Sequence, residues 1–395
     1  MQSLRTAFKE AAWVFVPSRL VILFITYISV IMLPQHGQAA PLDCTHGIHP
    51  NPCLFGWFHW DAVAYVRIAH QGYSSTPDVA WFPLWPLLEH FAGLLLGGYF
   101  PFSYYLAGLL LANICFYFAL VLFYYLLCEE FEPTLAKRAL FYLAFYPYAL
   151  FFFAGYTESL FLLLGLAIFL LLRRGRTLDW WLAGVLGFLA VLTRSSGIAL
   201  VVPFLVIYIQ RFWTASERKQ HSWFQKLNAL APIALIPAGI LAYMLYLGYT
   251  KGNPLIFVSE EATYNWHRHF AFIWNAFGPA IGALFTQPLL SASFLQNLLD
   301  ISFTLIPLSA LLLGWRRIPL HYSLFAAALA IFSLSFPQVA EPLASQPRYM
   351  MSMFPIFAIF ALWGKRPGFD RWYIAFSLPL LAINSVLFIS HYWVA

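Results

Sequence analysis

WVFVPSRLVILFITYISVIML, residues 13–33, decides the class of the fold. It is an almost unbroken apolar run of the length that crosses a bilayer as a helix, about 17–25 residues. It is too long for the apolar part of a secretory leader and lacks a small-residue cleavage site, so it reads as a permanent span. Arg5 and Lys9 precede it and put the amino end on the cytoplasmic side. Arg19, inside the run, is expected to snorkel back to that side.

Working outward, the pattern repeats along the chain. The protein is 62% hydrophobic and only 10% charged, with a mean hydropathy of +0.73. A soluble domain of this length carries far more charge. The apolar runs read as about eleven spans of an all-α polytopic membrane protein. No internal repeat, linker or low-complexity tract breaks the chain, so residues 1–395 are expected to form a single domain. Phe82–Gly98 is left open: its FPLWP start, Glu89 and His90 argue for an interfacial or re-entrant segment rather than a span.

The net charge of +6 points to topology and not to nucleic acid, because the basic residues sit in short loops between apolar runs. Of 22 Lys and Arg, only Arg67, Arg194, Lys251, Arg268 and Arg348 fall in segments assigned to the outer face. Cations placed against the charge rule near bilayer depth are candidates for function. Two long outer loops are expected, Pro34–Trp81 and Thr250–Gln296. The first contains Cys44 and Cys53, which could pair if the loop lies on an oxidising side or remain free thiols. Cys115 and Cys128 fall in or beside an apolar run and read as inert.

The first outer loop holds WFHWDAVAYVRIAHQGY, residues 57–73, too polar to span. Ala62–His70 reads as a short helix lying on the membrane. One acid, Asp61, sits among Trp57, Phe58, Trp60, Tyr65 and Tyr73. A poorly solvated carboxylate suits a general base that takes a hydroxyl proton. The simpler reading is a helix cap, since Asp readily satisfies free backbone N–H groups. Tyr65, one turn on, shares its face. The outer arginines suit a phosphate leaving group, which a guanidinium grips through two donors; contact with lipid headgroups is the alternative. Arg348 stands in QPRYM, Arg194 in LTRSSG, and Arg268 in NWHRH between His267 and His269. Glu158, in GYTES, begins a helix where an acid complements the dipole. The histidines have no metal-ligand spacing, and no Gly-rich nucleotide loop occurs, so no metal or other cofactor is expected.

In order along the chain stand HWDAVAYVRIAHQGY (59–73), WFPLWPLL (81–88), FAGYTESLF (153–161), LTRSSG (192–197), GNPLIFV (252–258) and QPRYM (346–350). With these the chain resembles the GPI mannosyltransferase 2 (PIG-V) family of GT-C glycosyltransferases, as a prokaryotic member. It departs from the pattern at SSG after Arg194, where a proline is expected, and in having no DxD pair at Asp61. The resemblance implies a GT-C fold with a long first exoplasmic loop bearing short interfacial helices. It implies a polyprenyl-phosphate sugar donor, mannose foremost, a lipid-linked or glycan acceptor, and inverting transfer without metal. Asp61 then matches the catalytic acid, and Arg348 holds the donor phosphate with Arg268, His267 and Arg194. Trp60, Tyr65, Arg67, Glu158 and Tyr349 line the cleft. The protein would be integral to the plasma membrane of a prokaryote, or to the endoplasmic reticulum of a eukaryote, with its site exoplasmic or luminal. A transporter or flippase of lipid-linked sugars is the reading from another class. It would favour paired repeats with broken helices at the midplane, whereas the unusual residues here gather at one face.

Overall fold

The computed structural model describes residues 3–36, 52–213, 222–263 and 266–395, and all their regular structure is helical. Six helical stretches are long and apolar enough to cross a membrane: Leu4–Met32, Phe102–Cys128, Ser195–Phe212, Trp223–Lys251, Ala292–Arg317 and Pro367–Ile389. The protein is an integral membrane protein. The other runs read as spans are shorter or interrupted. Thr177–Thr193 and Leu320–Leu334 are apolar but fall below that length. Ala139–Phe153 is the end of a helix, Pro133–Ala144, followed past Pro147 by a separate turn, Ala149–Phe152. Tyr349–Trp363 is divided into Gln346–Met351 and Pro355–Trp363, because Pro355 cannot continue the preceding helix.

The chain forms two compact units. The first comprises Met1–Gly72, Trp85–Ser159 and Phe360–Ala395. Arg19 does not snorkel there. It is buried, Nη1 donates to Asn113 Oδ1 at 3.2 Å, and the guanidinium lies over the Phe116 ring at 4.7 Å. A partner on the neighbouring helix and an aromatic face hold the charge where water would otherwise be needed. Ion pairs join Lys137 to Glu10 at 2.8 Å, Arg138 to Asp370 at 3.7 Å and Lys365 to Glu132 at 3.8 Å. They tie together three segments that the charge pattern assigns to one side. The short helix of the first loop is Asp61–Gln71, one residue longer at each end than the pattern suggests.

Phe82–Gly98 yields one helix, Leu84–Leu95. At about 1.5 Å per residue its 12 residues fall well short of a hydrocarbon core of about 30 Å. Its inward face carries Trp85, Glu89 and Gly93. Trp85 Nε1 donates to the Gly155 carbonyl at 3.2 Å. Cys53 is disulfide-bonded, Cys115 and Cys128 are free, and Cys44, the expected partner, lies outside the described residues.

The second unit comprises Tyr73–Leu84 and Leu160–Ile359. Its helices Thr177–Thr193 and Leu235–Lys251 pack through small residues. A Cβ on Gly239 would stand 2.8 Å from the Phe188 carbonyl, and one on Gly187 2.6 Å from Ile236. Such close approach gains dispersion contact where no hydrophobic force separates helix from lipid. The same helix fixes the end of the first loop. Tyr243 donates to the Val79 carbonyl at 2.7 Å, and Phe82 packs 5.0 Å from the Tyr243 ring. Lys251 Nζ donates to the Tyr73 carbonyl at 2.6 Å, so this outer cation is engaged in holding the loop.

Candidate functional site

The second unit assembles three of the cations that the charge pattern assigns to the outer face. Arg194 ends the helix Thr177–Thr193 in an extended conformation, and the chain turns back at once through Ser195–Leu200. Gly197 permits the turn: a Cβ there would meet backbone atoms of Ala190 and Val191 at 2.7–2.8 Å. Arg268 lies on an irregular segment whose backbone is pinned at both ends. Its N–H donates to the Glu261 carbonyl at 2.8 Å, and Ala271 N–H to the Ser335 carbonyl at 2.9 Å. Arg348 stands on the short helix Gln346–Met351, entered through Ser345 at φ +67°. Gln346 Nε2 anchors that helix by donating to the Ser333 carbonyl at 3.0 Å.

All three guanidiniums converge on Tyr349. Arg268 Nη1 donates to its hydroxyl at 2.8 Å and Arg348 Nη2 at 3.4 Å. The Arg194 guanidinium carbon lies 4.8 Å from the centre of the ring. Burial alone would raise the Tyr349 phenol, but Arg268, Arg348 and Arg194 together outweigh it and hold the phenol below its usual value. Glu261 acts on Arg268 from the side opposite in charge. Arg268 Nε is buried with no hydrogen-bond acceptor among the described residues. Three guanidiniums within reach of one phenol concentrate positive charge and planar N–H donors of the kind that suit an anion with several acceptor oxygens. His267 is exposed beside Arg268 with φ +45°.

Asp61, Trp60, Tyr65, Arg67 and Glu158 lie in the first unit. Asp61 is the first residue of its helix and not the cap. The cap position is Trp60, at φ +54° and ψ −123°, which makes no side-chain cap hydrogen bond. A non-glycine residue held at positive φ costs about 1–3 kcal/mol and persists only where its surroundings fix it. Here Trp60 packs edge-on against Trp393 at 5.0 Å while staying 42% exposed. Tyr65 points inward, with its ring 6.5 Å from Trp85 and 6.4 Å from Tyr156. Tyr156 in turn donates to the His59 carbonyl at 3.3 Å. That bond ties the GYTES turn, with Glu158 buried at its helix start, to the HWD segment. Arg67 is half-buried on the Asp61 helix.

The family profile of mannosyltransferases (PIG-V) matches residues 9–267. The chain belongs to that family. The match takes in the PIG-V segments bearing Asp61, Glu158 and Arg194, and stops one residue short of Arg268. No curated protein matches the chain in sequence. Among solved structures, the oligosaccharyltransferase of Archaeoglobus fulgidus in its apo form is similar at 14% identity and TM-score 0.40, covering 96% of this chain and 56% of that one. The same archaeal enzyme, AglB, in complex with an inhibitory peptide and a dolichol-phosphate gives 14% identity and TM-score 0.39, covering 95% and 55%. The chain spans about half the length of these structures.

Sequence reasoning passed over Asp300. It is 3% exposed, and its Oδ1 is buried with no hydrogen-bond partner. The signal was present: Asp300 is the one acid in the run Asn297–Leu313, and Gln296 lies four residues before it on the same helix face.

Proposed function

We propose that the protein is a membrane glycosyltransferase. It moves a sugar, mannose foremost, from a polyprenyl-phosphate donor to a hydroxyl of a lipid-linked or glycan acceptor on the exoplasmic or luminal face. The observation that carries this reading is the convergence of Arg194, Arg268 and Arg348 on Tyr349. Membership of the PIG-V family supports the transferred sugar.

The donor phosphate takes the guanidinium N–H groups now directed at the Tyr349 hydroxyl and the open Arg268 Nε. The acceptor oxygen attacks the sugar C1 from the face opposite the phosphate. The C1–O bond to phosphate breaks as the new bond forms, so the configuration inverts. Asp61 takes the hydroxyl proton, and polyprenyl phosphate leaves with the bonding electrons against the arginines. Negative charge develops on that phosphate in the transition state, where preformed cations act with little reorganisation.

Purified protein supplied with polyprenyl-phosphate mannose and a membrane lipid extract should release polyprenyl phosphate and label a lipid or glycan. Asp61→Asn should abolish the label while still binding donor. Absence of turnover by well-folded wild type across polyprenyl-phosphate sugars would overturn the reading.

A further inference from the structure

A cavity of about 50 Å³ lies within the second unit, among the helices Trp274–Thr286 and Ala292–Gly314 and the segment Ala340–Ala344. Its walls are of two kinds. Pro279, Ala280, Ala283, Pro342 and Leu343 supply apolar surface. Gln287, Gln296, Asn297, Asp300 and Glu341 supply polar groups.

Three of those groups are unfinished. Asp300 Oδ1, Gln287 Oε1 and Gln296 Nε2 are each buried and lack a hydrogen-bond partner among the described residues. Asn297, by contrast, is committed to the wall, since its Nδ2 donates to the Ala280 carbonyl at 2.8 Å and joins the two helices. A buried polar atom left unpaired is costly, so this set has an occupant. The set also describes that occupant. It contains acceptors, in Asp300 and Gln287, and a donor, in Gln296. An amine or metal cation would answer the carboxylate and leave the Gln296 donor unanswered. Hydroxyl groups both donate and accept, and answer all three. Water does the same, and the cavity has room for a few molecules. The apolar half of the lining gives water nothing, but suits the C–H face of a pyranose ring.

We propose that this cavity is a sugar subsite. It takes the hydroxyl-bearing edge of one pyranose residue, whose hydroxyls replace resident water on Asp300, Gln296 and Gln287. Its position fits such a task, because the wall Ala340–Ala344 runs directly into the helix that carries Arg348 and Tyr349. The shared chemistry is a ring with adjacent hydroxyls, whether it belongs to acceptor or donor. Only the assignment to a transfer substrate rests on the proposed activity.

The test separates the two ideas. Binding of methyl mannoside, glucoside and galactoside to the full chain in detergent is read by saturation-transfer NMR, with no donor present. Wild type should bind at least one of them. Asp300→Asn and Gln296→Leu should each weaken it about tenfold or more, and Leu245→Ala, on an exposed helix face away from the cavity, should leave it unchanged. In turnover, a KM effect of Gln296→Leu on the acceptor extract or on the donor tells which substrate brings the sugar. No binding by wild type would mean a water-filled cavity only and would overturn the subsite. Equal affinity in both cavity variants, each with wild-type melting temperature, would overturn it as well. Glycoside binding that obeys these rules in a protein without turnover would support the subsite and overturn the transfer reading instead.

Discussion

Arg348 and Asp61 both stand on short helices outside the candidate spans, and both helices are entered through a non-glycine residue at positive φ. Their surroundings differ in kind. Arg348 is one of three cations gathered on a single phenol, and its helix is held by its own Gln346, which donates to the Ser333 carbonyl. Around Asp61 the structure fixes the backbone, through Trp60 at φ +54°, and a set of rings, Trp393 against Trp60 and Trp85 against Tyr65. One region gathers positive charge around a phenol, and the other is marked by a strained helix entry packed among rings. This is the division expected when one group must meet a phosphate already charged in the ground state and the other must take a proton only as a bond forms.

The comparison is broken most severely at Asp61. Asp61→Asn should lower turnover by about 10²–10⁴-fold, the usual cost of losing a general base. Melting temperature and donor affinity should hold, because the cap position is Trp60, which the substitution leaves in place, and Asn is nearly isosteric with Asp. Both quantities are to be measured on one preparation. A variant that turns over normally removes Asp61 from the chemistry and leaves the strained Trp60 junction as architecture.

Next in size is the cation cluster. Arg348→Ala should weaken donor binding by about 10–100-fold, the value of a charge-assisted hydrogen bond lost in a dehydrated place. Arg348→Lys should recover part of it, since a point charge does not present the planar fork. Donor titration followed by tryptophan fluorescence reads both. Normal affinity in the Ala variant would show that the cluster serves the fold.

The phenol sharpens the same point through pH. Tyr349 is held below its ordinary value of about 10, despite burial, by Arg268, Arg348 and Arg194, with Glu261 the acid acting on Arg268. Deprotonation is therefore favoured in the folded state. Stability should rise with pH from the folded value up to about 10, the region where the unfolded chain still holds the proton. Donor affinity should move the opposite way, falling severalfold, because a phenolate takes the guanidiniums that the phosphate needs. Tyr349→Phe should abolish the alkaline loss of affinity. The same loss in the variant would assign it to another group.

Much of this was legible in the sequence, and the reasons are physical. Apolar length and the Lys/Arg bias report membrane class directly, so the end of the first helix and the loop helix were readable to within one residue, whereas the first helix begins at Leu4, nine residues before the apolar run. Arg194, Arg268 and Arg348 were readable as candidates because their placement defies the charge rule, and Tyr349 only through the family resemblance. The meeting of the three arginines on Tyr349, two at its hydroxyl and one over its ring, was not, since they come from three segments far apart in the chain. Arg19 misled because its partners, Asn113 and Phe116, are nearly a hundred residues away and periodicity carries no trace of them. Asp300 was missed because one acid in an apolar run resembles an interfacial residue until its burial is known. Not every run read as a span is one long helix, because prolines at 147 and 355 divide runs whose hydropathy is continuous.

The smallest expected effect tests whether burial alone makes an acid functional. Glu89 is more deeply buried than Asp61, at 1% exposure, and neither carboxyl oxygen has a well-formed hydrogen bond among the described residues. Burial, against a weaker opposing contribution from the Trp85 indole, pushes the carboxyl well above the usual carboxylate range. The fold thus favours the protonated form of this acid, and Gln is the near-isostere of that form. Glu89→Gln should keep turnover within about twofold and change stability at acidic pH by no more than the ordinary about 0.5 kcal/mol of a harmless substitution. The sign of the pH effect follows from the raised value. Stability from the neutral acid is complete below the unfolded value of about 4.3 and is lost as pH rises through the folded one. Wild type should therefore lose melting temperature relative to Glu89→Gln as the pH is raised, with the gap widening toward alkaline pH. Thermal melts of both proteins across that range decide it. If instead the Gln variant loses activity as Asp61→Asn does, with stability intact, then Glu89 is the proton carrier, and the division between a charge-holding unit and a geometry-holding unit must be redrawn around it.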